Sequence, residues 1–154
     1  MSETMILERI ALAEADTMAL ASQMARACFK QGIIYLSGDL GAGKTCWVRG
    51  FLRGLGYQGQ VKSPTYSLVE QYDIAGLTIF HFDLYRLSGP QQIQDLGIRD
   101  YCMETSVCII EWPERGETVL PAADLQCTFE FIPEGRLLRW QANTLAGQTM
   151  LEGI

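Results

Sequence analysis

A glycine-rich octapeptide constrains the fold of this chain more than any other feature. It runs from Gly38 to Thr45 as GDLGAGKT, and it matches the pattern G-x-x-x-x-G-K-[ST] at every fixed position. A continuous apolar run, Ile33–Leu36, lies just before it, and residues 44–55 carry a helical pattern that ends at two glycines. The order strand, glycine loop, helix predicts a buried parallel strand that leads into the loop.

The composition of this loop is typical of a phosphate-binding site. Glycines let the backbone turn tightly, and consecutive amides then form a nest for anionic oxygens at the positive end of a helix dipole. Lys44 would reach the β- and γ-phosphates of a nucleotide, and the Thr45 hydroxyl would ligate Mg²⁺. The alternative is a glycine-rich turn that matches by chance, but the flanking strand and helix favour phosphate binding. The loop residues predicted to bind the nucleotide are Gly38, Asp39, Gly41, Ala42, Gly43, Lys44 and Thr45.

Two acidic residues follow apolar strand-like runs, which is where P-loop proteins carry the acid that holds the Mg²⁺ shell. Glu111 ends the run Val107–Glu111, and Asp83 ends the run Thr78–Asp83. Either carboxylate could act on the metal, or on the attacking water as a base or an orienting group. The alternative for each is a solvated residue at a strand end. We therefore include Lys44, Asp83 and Glu111 among the predicted catalytic residues.

Three further side chains have two interpretations each. Thr65, in the turn Ser63-Pro64-Thr65, could sense the γ-phosphate or Mg²⁺ and join the catalytic set, or it could only follow a proline turn. Trp112 could stack on a nucleotide base or a partner surface, or it could pack a loop. His81, the single histidine of the chain, lies beside aromatic residues, which favours a structural role over a catalytic one.

Composition and charge bound the class of protein. The 154 residues are 48% hydrophobic and 19% charged, so we expect one globular domain over residues 1–154. The formal net charge of −6 argues against a broad basic surface for nucleic acid, although Arg49 and Arg53 could make a local contact. No run approaches the roughly 20 apolar residues of a membrane span. The first ten residues do not resemble a signal peptide.

The cysteines favour a reducing compartment. Their number is odd, and no pair has the spacing of a zinc or redox site. We interpret four of them as small core residues because their surroundings are apolar: Cys28, Cys102, Cys108 and Cys127. Reduced thiols fit the cytosol, so we expect a cytoplasmic protein without a membrane partner.

The remaining patterns predict a mixed sheet with few helices. A helix over residues 15–30, with Asp16 and Thr17 as caps, ends at Gly32. The other predicted elements are an edge strand over residues 5–12, a short helix over residues 90–96, a hairpin of Tyr66–Tyr72 and Thr78–Asp83 around Ala75 and Gly76, and a hairpin of Leu125–Ile132 and Arg136–Ala142. The predicted fold class is α/β, P-loop NTPase-like, with a mixed central sheet, flanking helices and antiparallel C-terminal strands.

Two nucleotide-dependent classes lack their motifs. A GTPase usually reads guanine with Asn-Lys-x-Asp, but the single asparagine, Asn143, is not followed by lysine, so ATP is the expected nucleotide. A nucleotide kinase needs a lid and several arginines around a second phosphate substrate, whereas the arginines here are scattered along a short chain. The expected activity is therefore that of an ATPase. A small-molecule kinase and a nucleotide-gated binding switch stay open as alternatives.

The combined motifs resemble a known family, the TsaE proteins, which are small bacterial ATPases of tRNA threonylcarbamoyladenosine (t6A) synthesis. The matching segments keep the order and spacing of that family. They are GDLGAGKT at 38–45, VKSPTYSLVE at 61–70, HFDLYRL at 81–87, LGIRDY at 96–101 and IIEWPE at 109–114.

The resemblance implies a partner-dependent activity. Such proteins bind ATP and Mg²⁺ and hydrolyse ATP slowly alone. They hydrolyse it strongly with the two-subunit transferase, of the TsaD and TsaB families, that modifies the adenosine next to the tRNA anticodon. The ATPase does not transfer the group itself, and hydrolysis is expected to reset the transferase between turnovers. The chain would then meet tRNA indirectly, through that complex.

The resemblance also implies roles by position. Lys44 and Thr45 are the phosphate and Mg²⁺ residues, and Glu111 resembles the acidic metal residue of the family. Thr65 and Asp83 fall in its switch-like motifs.

Four other positions resemble nucleotide contacts of the family. Thr17 resembles a position near the adenine, and Trp112 a contact on the base side. Cys46 stands where many relatives have threonine or serine, and its amide can still contact the α-phosphate. Arg136 resembles an arginine of the tail near the nucleotide.

Overall fold

The computed structural model describes residues 4–27, 31–74, 76–102 and 105–154, so the predictions for Cys28 and Ala75 lie outside the described residues. The described residues contain seven strands in one sheet: β1 (Met5–Ala11), β2 (Gly32–Ser37), β3 (Val69–Ile74), β4 (Leu77–Asp83), β5 (Ser106–Glu111), β6 (Leu125–Ile132) and β7 (Gly135–Ala142). Their helices are α1 (Glu14–Arg26), α2 (Lys44–Gly54), α3 (Pro90–Asp95), α4 (Ile98–Tyr101) and α5 (Leu145–Leu151), with 3₁₀ turns at Pro113–Arg115 and Glu117–Val119. Within these ranges, no helix has the length and apolar character needed to cross a bilayer.

Strand β2 lies inside the sheet, whose order is β1-β7-β6-β2-β5-β4-β3. It is parallel to both neighbours, β5 and β6, and β4 is parallel to β5. The pairs β3–β4 and β6–β7 are antiparallel hairpins, and β1 forms an edge antiparallel to β7. The predicted mixed sheet is confirmed. The prediction of an antiparallel tail is incomplete, because β6 also pairs in parallel with β2 and joins the tail to the centre.

Two predicted boundaries are wrong. Helix α1 ends at Arg26, and Gly32 opens β2 instead of ending the helix. Strand β3 begins at Val69, three residues later than predicted. The delay has a local cause, because the Leu68 amide donates to the Pro64 carbonyl at 2.8 Å and closes a turn before the strand.

The predicted caps of α1 have different outcomes. The Asp16 carboxylate accepts hydrogen bonds from the backbone amides of Leu12 at 3.0 Å and Ala13 at 3.1 Å, so its capping role is confirmed. Thr17 lies one turn inside the helix with a buried side chain, so it does not occupy a capping position.

The core lies on both faces of the sheet because alternate strand residues point to opposite sides. On one face, α1 and α2 cover a cluster that includes Ile34, Trp47 and Phe51. On the other face, α3 and α4 contribute to a second cluster that contains Phe82 and Ile110. Helix α2, which follows the glycine loop, therefore packs on the first of these faces, against β2. This contact fixes the loop at the carboxyl edge of the sheet.

Three of the predicted core cysteines can be located. Cys108 and Cys127 are buried, as predicted. Cys102 is half-buried and packs against the second cluster from its edge.

Helices α1 and α2 approach each other closely at two glycines. A Cβ atom on Gly50 would lie 2.5 Å from the backbone of Met18, and one on Gly54 would lie 2.5 Å from the carbonyl oxygen of Ser22. Backbone atoms cannot move aside by a rotamer change, so any larger residue must separate the helices.

Gly50→Ala is therefore expected to lower the free energy of unfolding by about 2 kcal/mol, because the clash outweighs the gain in helix propensity. Urea denaturation measures the change. Gly89→Ala is the matched control, since a Cβ atom there meets nothing within 4 Å. An unchanged denaturation midpoint for Gly50→Ala would contradict the close packing of the two helices.

Candidate functional site

The glycine loop connects the carboxyl end of β2 to the first turn of α2. Gly38, Gly41 and Gly43 have φ angles of 154°, 81° and 113°, which residues with side chains rarely adopt. At Gly38 a Cβ atom would also lie 2.8 Å from the carbonyl oxygen of Phe129. Steric constraints therefore explain why glycine occupies these positions. The predicted order of strand, loop and helix is the one observed.

Lys44 is held at the centre of this loop. Its side chain is buried, its ammonium donates to the Gly38 carbonyl, and Nζ lies 3.9 Å from the centroid of the Trp112 ring. Burial lowers the pKa of Lys44, while the negative charges of Glu111 and Asp83 act in the opposite direction. In the described part of the chain Lys44 forms no ion pair, so its charge is available for an anionic ligand.

The two predicted acids lie side by side. Asp83 ends β4 and Glu111 ends β5, and the parallel register sets these two residues opposite each other. Glu111 Oε2 lies 2.5 Å from His81 Nε2 and 3.4 Å from Thr45 Oγ1. The loop hydroxyl and this carboxylate, 66 positions apart in the sequence, are therefore in contact.

Asp83 is tied to the segment that contains Thr65. Its carboxylate accepts hydrogen bonds from the Tyr85 amide at 3.0 Å and from Thr65 Oγ1 at 3.4 Å. The Thr65 hydroxyl is in turn 2.7 Å from Ser63 Oγ. Burial raises the pKa of Asp83, and the Tyr85 amide lowers it by a smaller amount. Thr65 therefore belongs to the neighbourhood of the acids as well as to a proline turn.

All four predicted catalytic residues line one cavity of about 300 Å³, which we call the Lys44 cavity. Its lining also includes Thr45 and Trp112 of the predicted site, together with four residues absent from that site: Glu14, Leu40, Arg49 and Ser63. Arg49 lies on α2 beyond Lys44, and its helical spacing from Lys44 is the sequence signal that could have placed it at the site. Glu14 comes from the start of α1, and no local pattern pointed to it.

A second cavity of about 240 Å³, the Thr17 cavity, adjoins the first. It is lined by Thr17 of α1 and Arg136 of β7, which are far apart in the sequence, together with the outer side of the glycine loop. Four residues line both cavities: Glu14, Gly41, Gly43 and Cys46. The two cavities therefore flank the same loop. Most of the predicted nucleotide contacts line one or both of them, whereas Gly38 and Asp39 line neither.

Trp112 lies in the Lys44 cavity, whereas Thr17, the residue predicted near the adenine, lines the Thr17 cavity. Its backbone has a φ of 61°, and its ring packs 4.9 Å from the ring of Tyr85. The packing of the loop and the contact with Lys44 account for its position. The predicted base-side residues therefore do not converge on one cavity.

Oxygen donors of the kind that Mg²⁺ prefers meet in the Lys44 cavity. Thr45 offers a hydroxyl, and Glu111 and Asp83 offer carboxylates. No group of three or more His, Cys, Asp or Glu residues forms a complete metal site among the described residues. That arrangement fits Mg²⁺, which is usually bound through one or two carboxylates together with substrate phosphates and water.

Comparisons with known proteins identify the family. The sequence model of "Threonylcarbamoyl adenosine biosynthesis protein TsaE" matches residues 12–137. A Haemophilus influenzae protein named "tRNA threonylcarbamoyladenosine biosynthesis protein TsaE" is 50% identical over 122 residues, 79% of this chain and 77% of that protein. A Bacillus subtilis protein of the same name is 37% identical over 111 residues, 72% of this chain and 69% of that protein.

A solved structure extends the similarity over the whole fold. The crystal structure of Bacillus subtilis YdiB has a TM-score of 0.79 and 27% sequence identity, and the match covers 99% of this chain and 94% of that one. The family match spans the glycine loop, both acidic strand ends and Thr17, which are the segments that build the two cavities. The chain belongs to the TsaE family of threonylcarbamoyl adenosine biosynthesis proteins.

Proposed function

We propose that this chain binds ATP with Mg²⁺ and hydrolyses it in support of the threonylcarbamoyl modification of the adenosine next to the tRNA anticodon. Its partners in this modification are the transferase subunits of the TsaD and TsaB families. One observation carries the proposal: in a TsaE family member, Lys44 and Thr45 of the glycine loop share a cavity with Asp83 and Glu111. The whole chain, residues 1–154, acts as one P-loop ATPase domain, in line with the one sheet that its described residues form.

The glycine loop and Lys44 hold the nucleotide phosphates. Three glycines with positive φ angles leave the loop amides free of side-chain obstruction. The buried ammonium adds a positive charge that no ion pair among the described residues neutralises. The Cys46 amide serves the α-phosphate, and the base side extends toward Thr17 and Arg136. ATP is preferred to GTP because the sequence has no Asn-Lys-x-Asp guanine reader.

Thr45 and Glu111 are the residues that would hold Mg²⁺. When bound, the ion neutralises the charge that develops on the phosphate oxygens. Asp83 receives the proton of the water that attacks the γ-phosphorus, while the bond to the ADP oxygen breaks and phosphate leaves. The raised pKa of Asp83 makes it a better base than an ordinary aspartate, and Thr65 orients its carboxylate.

The composition of the Lys44 cavity supports control by a partner. Among its described lining residues, the positive side chains are Lys44 and Arg49. Phosphoryl transfer to water is slow without enough positive charge on the transition state, and many NTPases receive that charge from another protein. Slow hydrolysis by the chain alone follows from this shortage. The net charge of −6 favours contact with tRNA through the complex.

Mass balance of ATP tests the proposal. ADP, free phosphate and phosphorylated products are measured for the chain alone, for the transferase pair alone and for the three proteins together. We expect slow phosphate release by the chain alone and at least about a tenfold increase with the pair. Phosphate recovered on an added metabolite would instead identify a small-molecule kinase. ATP binding without turnover in any mixture would identify a nucleotide-gated switch.

A further inference from the structure

We propose that His81 is a positioning residue for the Mg²⁺ ligand Glu111. Its Nε2–H holds one carboxylate oxygen in place, so that the other oxygen stays available to the ion. The inference rests on the proposed function, and it assigns a role to a histidine that sequence reasoning interpreted as structural.

The contact between the two side chains is short and fully enclosed. His81 Nε2 and Glu111 Oε2 are 2.5 Å apart, and the exposed fractions of the two side chains are 0% and 4%. A hydrogen bond to a carboxylate in such surroundings is shielded from competing water. It restricts the Glu111 side chain to one orientation at the point where β5 ends.

The surroundings of the imidazole identify its tautomer. His81 Nδ1 is buried and has no hydrogen-bond partner among the described residues. A proton there would leave a buried N–H donor unpaired, which is unfavourable. The tautomer with its proton on Nε2 avoids that state, so His81 donates and Glu111 accepts.

The same geometry distinguishes the two oxygens of Glu111. His81 and Thr45 both contact Oε2, at 2.5 Å and 3.4 Å. In the described ranges no donor is assigned to Oε1, although Glu111 lines the Lys44 cavity. One oxygen is thus anchored to the protein, and the other is left to bind a cation. Second partners of this kind orient metal ligands in many sites.

The alternation of side chains along the strands explains why His81 can contact Glu111. Residues two apart in a strand share a face, so His81 and Asp83 of β4 lie on the same side as Glu111 of the parallel strand β5. Glu111 is opposite Asp83, two residues beyond His81 along the strands, and its long side chain reaches back to the imidazole. The pattern His-x-Asp on one strand and a terminal Glu on the next therefore builds the pair once the register of β4 against β5 is set.

Three variants separate positioning from packing. His81→Leu keeps an apolar volume but removes the donor, and His81→Gln offers an amide N–H at about the reach of Nε2. His81→Asn carries the same amide on a shorter side chain that cannot reach Glu111. Thermal unfolding shows which variants fold, and His81→Asn replaces His81→Leu if the leucine variant does not.

Calorimetric titration with the β,γ-imido analogue of ATP, in Mg²⁺ and in EDTA, measures the effect without turnover. The wild-type protein is expected to bind more tightly with Mg²⁺. In His81→Leu the ratio of the Kd in EDTA to the Kd in Mg²⁺ should fall by about tenfold, while the Kd in EDTA itself is unchanged. His81→Gln should keep the wild-type ratio.

The outcomes separate this inference from the proposed function. A wild-type ratio in His81→Leu would overturn the positioning role and leave the proposed function intact. Equal losses in His81→Leu and His81→Gln would make the histidine a packing residue, which also overturns the inference. If the wild-type protein did not bind the analogue, the proposed function would fail, and the positioning role with it.

Discussion

Replacing Lys44 with methionine is expected to weaken ATP binding by about 100-fold, since truncating one partner of a buried charge pair costs about 2–5 kcal/mol. Methionine fills a similar volume, so the change removes the ammonium and little else. The Lys44 side chain is buried beneath Trp112 and donates to the Gly38 carbonyl. Among the described lining residues Arg49 is the other positive side chain, and it lies on α2 beyond the glycine loop, so the loop itself loses its ammonium. Calorimetric titration with ATP measures the loss.

The fold should survive this substitution. Burial lowers the pKa of Lys44, which means that the ammonium is less stable in the folded chain than in the unfolded chain. Removing the charge relieves that penalty, so the melting temperature without nucleotide should stay the same or rise. Lys62→Met, at an exposed position outside the cavity, is the matched control and should bind ATP normally. Wild-type affinity in Lys44→Met would show that the phosphates bind elsewhere.

Local patterns in the sequence predicted the centre of the fold and most of the Lys44 cavity. The loop from Gly38 to Thr45 could be predicted because its glycine spacing is a steric requirement that shows directly in the sequence. Asp83 and Glu111 could be found because each ends an apolar run, and parallel strands bring such ends to one edge. These signals lie within a few residues of the side chains that they predict.

Contacts between distant segments could not be predicted in the same way. The pairing of His81 with Glu111 depends on the register of β4 against β5, which no local pattern fixes. The Thr17 cavity depends on β7 reaching the start of α1, so its lining by Arg136 came from the resemblance alone. The close contact of α1 with Gly50 depends on how two helices cross.

One missed element had a local signal. Helix α5 begins at Leu145 and is capped by Thr144, whose side chain accepts a hydrogen bond from the Gly147 amide at 3.2 Å. Threonine before a short apolar segment is a typical N-cap. The helix is only seven residues long, however, and its stability comes mainly from packing against the rest of the fold.

Glu111→Gln is expected to reduce partner-stimulated ATP turnover by about 100- to 1,000-fold, because it removes one charge that acts on the reacting phosphates through Mg²⁺. The amide is nearly the same size as the carboxylate and can still accept from His81, so the local packing should persist. Binding of ATP in EDTA should not weaken, since the Glu111 carboxylate is a negative group that does not attract the phosphates without Mg²⁺. Turnover is measured with the transferase pair, and binding by calorimetry.

The matched control for this variant is Glu134→Gln, which makes the same chemical change at an exposed turn between β6 and β7. It should keep full stimulated turnover. Full turnover in Glu111→Gln would instead move the metal assignment to Asp83, the other acid of the cavity, and Asp83→Asn would then carry the loss. Reduced binding in EDTA would mean that Glu111 supports the loop itself. A loss of turnover with retained binding therefore separates a residue that serves the reaction from one that only serves the fold, and the contacts of Glu111 with Thr45 and His81 favour the first role.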